Sequence, residues 1–281
     1  FNIEEIHKWK NDTITNLSSG ITKLANARNI NIINGLASFN SANQLLIKDN
    51  QDKMIELNFD NCIISTGSSP QIIPNLNKQH PNIISSTEAL DFNEIPDSLL
   101  IIGGGYIGLE LAEVFSSFGS KVTIAEFLPS LLSMADQDLV KILNNSLLNR
   151  FENIFTSTEV TELIPKDSNK IIATFKNDKI FKDSFNQVLI CIGRKPNTST
   201  LNIEKTGIKL DKKGYIPVNK QRRSLIPNIY AIGDVTGNPM LAHKASYEGK
   251  IAAEVIAGKN VIFDPIAIPS VIYTNPEIAW C

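Results

Sequence analysis

Apolar and polar positions change rhythm several times along the 281-residue chain. Over residues 1–28, Ile3, Ile6, Ile14, Leu17, Ile21 and Leu24 recur at helical spacing and predict an amphipathic helix. The runs INIINGLASF, QLLIKD and KMIELNF follow, separated by Gly, Ser and Asn, and predict short strands joined by turns. CIIST, residues 62–66, is a continuous apolar run broken at Gly67 and reads as a buried strand. Pro70, Pro74 and Pro81 make the next stretch a connector, and Pro96 marks a domain boundary.

From Ser98 the period switches back and forth. Strand LLIIG leads into helix GLELAEVFSSFG, strand KVTIAE, a loop, and helix ADQDLVKILNNSLLNR. Strands are expected near Val160, at Ile171–Phe175 and at Val188–Ile192, then a long linker, the strand NIYAIGD, and a helix from about His243 to Gly258. The final IPSVIYTNPEIAWC reads as a strand and an extended segment. This is the βαβ rhythm of a parallel sheet with a small antiparallel excursion, so the fold class is α/β.

Composition narrows the function classes. With 27 basic and 29 acidic residues the net charge is −2, which gives no field favouring nucleic acid or a membrane surface. No apolar run approaches the ~20 residues of a bilayer span, and FNIEEIHKWK has no signal-peptide core. Cys62, Cys191 and Cys281 stand far apart, without CxxC or metal-ligand spacing, so no metal is expected. Cys62 and Cys191 fall in apolar runs as small buried hydrophobes, and the lack of a disulfide framework favours a reducing cytoplasm.

The chemistry concentrates at strand ends. Gly103, Gly105 and Gly108 form GxGxxG between an apolar strand and a helix. The first glycine permits a tight turn, the second lets phosphate approach the backbone, and the third lets helix and strand pack closely. Alone, such a turn can be purely structural. Here Glu126 ends the next strand, 18 residues after Gly108, where an acid can meet ribose hydroxyls. No arginine follows in EFLPSLL to hold a 2′-phosphate, so NAD is expected over NADP. Asp234, in NIYAIGDV, places a carboxylate at a strand's C-terminal end, suited either to a sugar-like diol or to a turn or helix cap. STGSSP, Ser65 to Pro70, is a third strand-to-turn motif, equally open in isolation.

Together, GGGYIGLE, IAE, CIGRKPN, YAIGDVTG, MLAHKASYEGKIAAEVIAG and IPSVIYTNPEIAW closely resemble the dihydrolipoyl dehydrogenase family. Its members are flavoprotein disulfide reductases, alongside glutathione and mercuric reductase. The resemblance runs along essentially the whole chain, and PMLAHKASYEG and TNPEIAW are its more specific parts. It implies two Rossmann-like dinucleotide-binding domains, the FAD domain incomplete. On that basis residues 1–96 are expected to be part of the FAD-binding domain and 97–222 the NAD-binding domain. Residues 223–265 would be a return segment to the FAD domain, and 266–281 the start of a dimerisation domain.

In this family an N-terminal GxGxxG binds FAD and a second one binds NAD, and the turn at Gly103 resembles the second. The first, the redox CxxxxC pair and the dimerisation domain with its acid–base His-Glu pair are expected outside this internal segment. His7, His80 and His243 are not expected to replace that pair. Cys281 stands where the family continues with an aliphatic residue and glycine.

The resemblance further implies that Gly103, Gly104, Gly105, Tyr106, Ile107, Gly108, Glu126, Val160 and Gly193 line an NAD site. Ala37, Thr66, Gly67, Asp234, Met240 and Ala242 would lie against FAD, Asp234 at the ribitol and Ala242 by its backbone at the flavin. Glu110 is implied as a flavin-side support paired with a lysine beside the redox cysteines. Tyr106 departs from the small aliphatic residue usual here and resembles the tyrosine gate of glutathione reductase. The implied activity is oxidation of dihydrolipoyl groups by NAD through FAD and a redox disulfide, in a homodimeric parent serving 2-oxo acid dehydrogenase complexes, with a small-molecule or lipoyl-domain substrate. The segment alone is expected to be inactive. Alternatives are another reductase such as mercuric reductase, or a non-catalytic nucleotide-binding remnant.

Overall fold

The computed structural model describes residues 1–76 and 80–281. They fall into two compact units, one built from Phe1–Asp12, Pro70–Gly193 and Pro269–Cys281, the other from Thr13–Ser69 and Arg194–Ile268. The divisions lie after Ser69 and Gly193, whereas the sequence reading places boundaries at 96/97 and 222/223. The cause is pairing remote in sequence. The proline-spaced connector hides a strand, Ile83–Ser85, that pairs in parallel with Gln187–Ile190 and so joins the nucleotide sheet. Likewise Ile229–Ala231 pairs with Cys62–Ile64, which draws the linker after Gly193 into the other unit.

The first unit centres on a five-stranded parallel sheet in the order Ile83–Ser85, Gln187–Ile190, Ser98–Ile102, Lys121–Ala125, Asn153–Phe155. Alternation explains its layers, because successive side chains of a strand point to opposite faces. Leu99, Ile101, Val122, Ile124 and Leu189 pack on one face with Leu109, Ala112 and Phe115 of helix Tyr106–Ser117 and Val140, Leu143 and Leu147 of helix Gln137–Leu147. Leu100, Ile102, Ala125, Val188 and Ile190 face the other way, against an antiparallel sheet of Glu159–Asp167, Lys170–Lys176 and Ile180–Phe185. Both faces are covered, as a parallel sheet requires. The hairpin Ser270–Ile272 and Ile278–Trp280 adds Ile272 and Ile278 to the helix-side core. Residues 269–281 thus pack in this unit.

In the second unit an antiparallel sheet of Gly35–Ser41, Gln44–Asp49 and Met54–Asn58 joins the parallel pair Cys62–Ile64 and Ile229–Ala231 through a core of Phe39, Ile64, Ile216, Ile229, Ala231 and Val235. Helix Ala242–Ile256 packs Ile251, Ala252 and Val255 against Tyr230.

Helix Ile3–Ala27 forms as its periodicity predicts, but from Ile14 to Leu24 its apolar stripe is exposed: Leu17 is 69% and Ile21 71% accessible. No described helix is long and apolar enough to cross a membrane.

Candidate functional site

In the first unit, Ser98–Ile102 has Lys121–Ala125 on one side and the much later Gln187–Ile190 on the other. Chain order therefore reverses beside it, and open α/β sheets bind ligands at the carboxyl ends of strands at such a switch point. Gly103 opens the turn there with φ +109°, and a Cβ on it would lie 2.3 Å from the Cys191 carbonyl oxygen of the neighbouring segment. A Cβ on Gly108 would lie 2.3 Å from the Gly103 carbonyl oxygen, so these two glycines exist for close backbone packing. Gly105 is different. It stands at the N-cap of helix Tyr106–Ser117, no side chain caps that end, and a Cβ on it would meet nothing within 4 Å. The helix amides thus face open space, a geometry suited to an anion.

Glu126 is tied into the turn. Its Oε2 accepts the Gly104 N–H at 2.6 Å and its Oε1 accepts the Leu128 N–H at 2.7 Å. The Leu132 N–H donates to the Gly104 carbonyl at 3.0 Å, closing the loop after Glu126 onto the glycine turn. Val160 is buried in the cluster that holds Ile102 and Ala125. Gly193, at φ +120°, accepts the Gln71 N–H on its carbonyl at 2.9 Å. Tyr106 is 41% exposed and Ile107 packs partly buried against the helix-side core. Glu110 accepts the Tyr273 N–H at 3.0 Å, so its partner in this chain is a backbone amide of the C-terminal hairpin.

The second unit gathers a separate set. Strand Ile229–Ala231 runs into a 3₁₀ turn, Gly233–Thr236, in which Gly233 has φ +73° and Asp234 is half-buried. The Ser68 hydroxyl donates to Asp234 Oδ2 at 2.6 Å, and Arg194 donates its Nε to that hydroxyl and its Nη2 to the Ser68 carbonyl, at 2.7 and 2.6 Å. Asn197 holds the adjacent turn: its backbone carbonyl accepts the Thr66 hydroxyl at 2.8 Å and its N–H donates to the Gly67 carbonyl at 3.0 Å. A Cβ on Gly67, φ +68°, would meet nothing within 4 Å. Met240 is half-buried, and Ala242 is exposed as the first residue of an uncapped helix. Ala37 lies on the three-stranded sheet, exposed and paired with Ile47. Burial, Asp211 and Asp234 together raise the pKa of the Tyr215 phenol, whose ring lies along Gly237.

Both turns pass a test of fit to a dinucleotide. Each pairs an acid with a glycine whose missing side chain leaves open space, beside a helix N-terminus free of side-chain caps. Ser68, Arg194, Asn197 and Glu248 lie in quoted motifs, but the sequence assigns them no role because their partners are remote. One histidine does have a glutamate at HxxxxE spacing: His243 stands five residues before Glu248. Five residues on an α-helix span about 500°, which turns the two side chains to different faces. His243 is exposed and Glu248 fully buried, so they form no such pair.

Comparison with known proteins accords with this geometry. Residues 2–249 match the pyridine nucleotide-disulphide oxidoreductase family model, and the chain belongs to that family. It is 40% identical to dihydrolipoyl dehydrogenase of Vibrio cholerae over 99% of its length, and 41% identical to that of Buchnera aphidicola from Acyrthosiphon pisum, again over 99%. It covers 58% and 59% of those proteins, so the chain spans about three fifths of the curated relatives it matches. Among solved structures, the Cu(II) complex of the HOCl-induced flavoprotein disulfide reductase RclA from Escherichia coli superposes with TM-score 0.88 at 28% identity, covering 97% of this chain and 62% of that one. LpdA from Mycobacterium tuberculosis gives 0.88 at 26% identity, covering 98% and 61%. As a member of that family with a mixed α/β fold, the chain fits the class that its motifs resemble.

Proposed function

We propose that this chain supplies the NAD-binding domain and part of the FAD-binding domain of a dihydrolipoyl dehydrogenase. The observation that carries this reading is the identity of about 40% to dihydrolipoyl dehydrogenases along 99% of the chain, which includes both strand-end turns. In the first unit, Gly105 and the N-terminus of helix Tyr106–Ser117 receive the NAD diphosphate, Glu126 accepts the adenine-side ribose hydroxyls, and Val160 and Gly193 line the rest. In the second, Asp234 accepts the ribitol hydroxyls of FAD, Thr66, Gly67, Met240 and Ala242 flank it, and Ala37 serves the adenine end. When bound, flavin and nicotinamide supply the hydride chemistry; the protein positions them.

The whole protein then oxidises dihydrolipoyl groups of 2-oxo acid dehydrogenase complexes by NAD, as a cytoplasmic homodimer. The first assay is NAD-dependent oxidation of dihydrolipoamide by the full gene product, with NADP as the control. Turnover with NAD and little with NADP is expected. Turnover confined to NADP, or none with any dihydrolipoyl substrate, overturns the reading. A second reading, a flavoprotein disulfide reductase of other substrate, is favoured by the likeness to RclA and by Tyr106, and is the outcome if the flavoprotein reduces another disulfide or a metal ion instead.

A further inference from the structure

Behind the Asp234 turn lies a buried group of charges that the cofactor assignment does not use. Glu248, in helix Ala242–Ile256, is fully buried, and its Oε2 accepts the Gly233 N–H at 2.6 Å. Its Oε1 meets Arg222 Nη1 at 2.7 Å and Lys244 Nζ at 3.2 Å. Lys244, 5% exposed, donates to the Gly237 carbonyl at 3.3 Å. One carboxylate therefore holds the amide that opens the turn, and through Lys244 the carbonyl just after the turn closes. Arg222 is seated by its carbonyl, which accepts the Ala231 N–H at 3.0 Å, and its guanidinium lies 4.6 Å from the centre of the Phe263 ring.

Burying Glu248 and Lys244, with Arg222 half-buried beside them, is costly and rarely the cheapest way to stabilise a core. Arg222 Nε is buried without a hydrogen-bond partner, but the contacts that Glu248 and Lys244 make with the turn hold its backbone in one geometry. That backbone has a positive φ at Gly233 and carries Asp234 one residue later. From the other side, Ser68 and Arg194 fix the Asp234 carboxylate itself.

We propose that Glu248 and Lys244 form a clamp on both ends of the Gly233–Thr236 turn and act as positioning residues, setting the Asp234 carboxylate for the vicinal hydroxyls of a ribityl chain. This rests on the assignment of Asp234 to the flavin given above. Glu248 and Lys244 do not touch the ligand; they hold the turn at its two backbone ends.

The test uses the full gene product stripped of flavin, and compares Lys244→Met, Glu248→Gln, Asp234→Ala and the double variant Asp234→Ala/Lys244→Met. FAD affinity is read by quenching of flavin fluorescence on rebinding, and amide hydrogen exchange is followed at Gly237, whose N–H donates to the Asp234 carbonyl, and at Ala231. Lys244→Met and Glu248→Gln each weaken FAD binding at least tenfold and speed exchange at Gly237 at least tenfold, with Ala231 unchanged. The double variant binds FAD no more weakly than Asp234→Ala alone, because the clamp acts through that carboxylate. Additive losses in the double variant, native FAD affinity in both clamp variants, or equal acceleration at Ala231 overturn the proposal. If Glu248→Gln fails to fold, Lys244→Met alone decides it. Should Asp234→Ala bind FAD as the native protein does, the flavin assignment of Asp234 fails instead, and Gly237 exchange still reports whether the clamp holds the turn.

Discussion

The Glu126 carboxylate accepts the Gly104 N–H at 2.6 Å, so the acid expected to meet a ribose also braces the glycine turn beside it. Two consequences are separable. A 2′-phosphate brought to Glu126 would meet a like charge, typically worth a few kcal/mol, so the chain is expected to bind NADH at least tenfold more tightly than NADPH. Glu126→Ala narrows that gap and also weakens NADH, because the Gly104 and Leu128 amides lose their acceptor. Hydrogen bonds to charged groups contribute about 1.5–3 kcal/mol each, so the loss is at least tenfold in affinity. Fluorescence titration of both cofactors measures it, and equal affinities in the native chain would falsify the discrimination.

What was legible in the sequence was local. The glycine turn, Glu126 and Asp234 announce themselves because a strand, its turn and the acid that follows lie within a few tens of residues. Pairings across the chain left no such signal. The strand Ile83–Ser85 sits among prolines and becomes a strand only through Gln187–Ile190, a hundred positions away. Ser68 reads as a turn serine until Arg194 and Asp234 are brought to it. Lys244 and Glu248 have the i, i+4 spacing of an exposed helix pair, but both are buried because Gly233, Gly237 and Arg222 supply partners.

Thiol reactivity follows from burial. Desolvation pushes the Cys62 thiol up to about 11 and the Cys191 thiol up to about 12, whereas Cys281 is exposed. The thiolate is the nucleophile, so at pH 8 a disulfide reagent modifies Cys281 fast and the other two slowly. Raised folded-state values mean that this contribution to stability is full below the ordinary thiol pKa. It declines as pH rises from there towards 11 and 12. One fast equivalent in the native chain and three in guanidinium is the expected count. Three fast equivalents in the native chain rule out the shielding of half-buried Cys62 and Cys191.

Dithiol exchange requires two thiols that can close a disulfide, and Cys62, Cys191 and Cys281 include no vicinal pair. The 281-residue chain, supplied with FAD, is therefore expected to reduce no NAD at the expense of dihydrolipoamide above background. An increase in absorbance at the NADH wavelength that scales with chain concentration would contradict this.

Gly103 and Gly105 are two positions apart yet serve different ends, and alanine separates them. At Gly103 a methyl would sit 2.3 Å from the Cys191 carbonyl oxygen at φ +109°, against backbone that belongs to the neighbouring strand's continuation and has little room to yield. Left-handed backbone alone costs about 1–3 kcal/mol for a side chain, and the clash adds to it. Gly103→Ala is therefore expected to destabilise the first unit by several kcal/mol, with NADH binding lost as a consequence. At Gly105 φ is −79°, which any residue adopts, and a methyl would meet nothing within 4 Å. Gly105→Ala should leave folding unchanged to within about 0.5 kcal/mol. Its methyl occupies the space open to a diphosphate at the helix N-terminus, so NADH affinity falls at least tenfold in a protein that unfolds like the native one. Urea unfolding and NADH titration of the same preparations read the two effects. Equal destabilisation by both variants, or native NADH affinity in Gly105→Ala, would show that the open space at Gly105 is not where the nucleotide approaches.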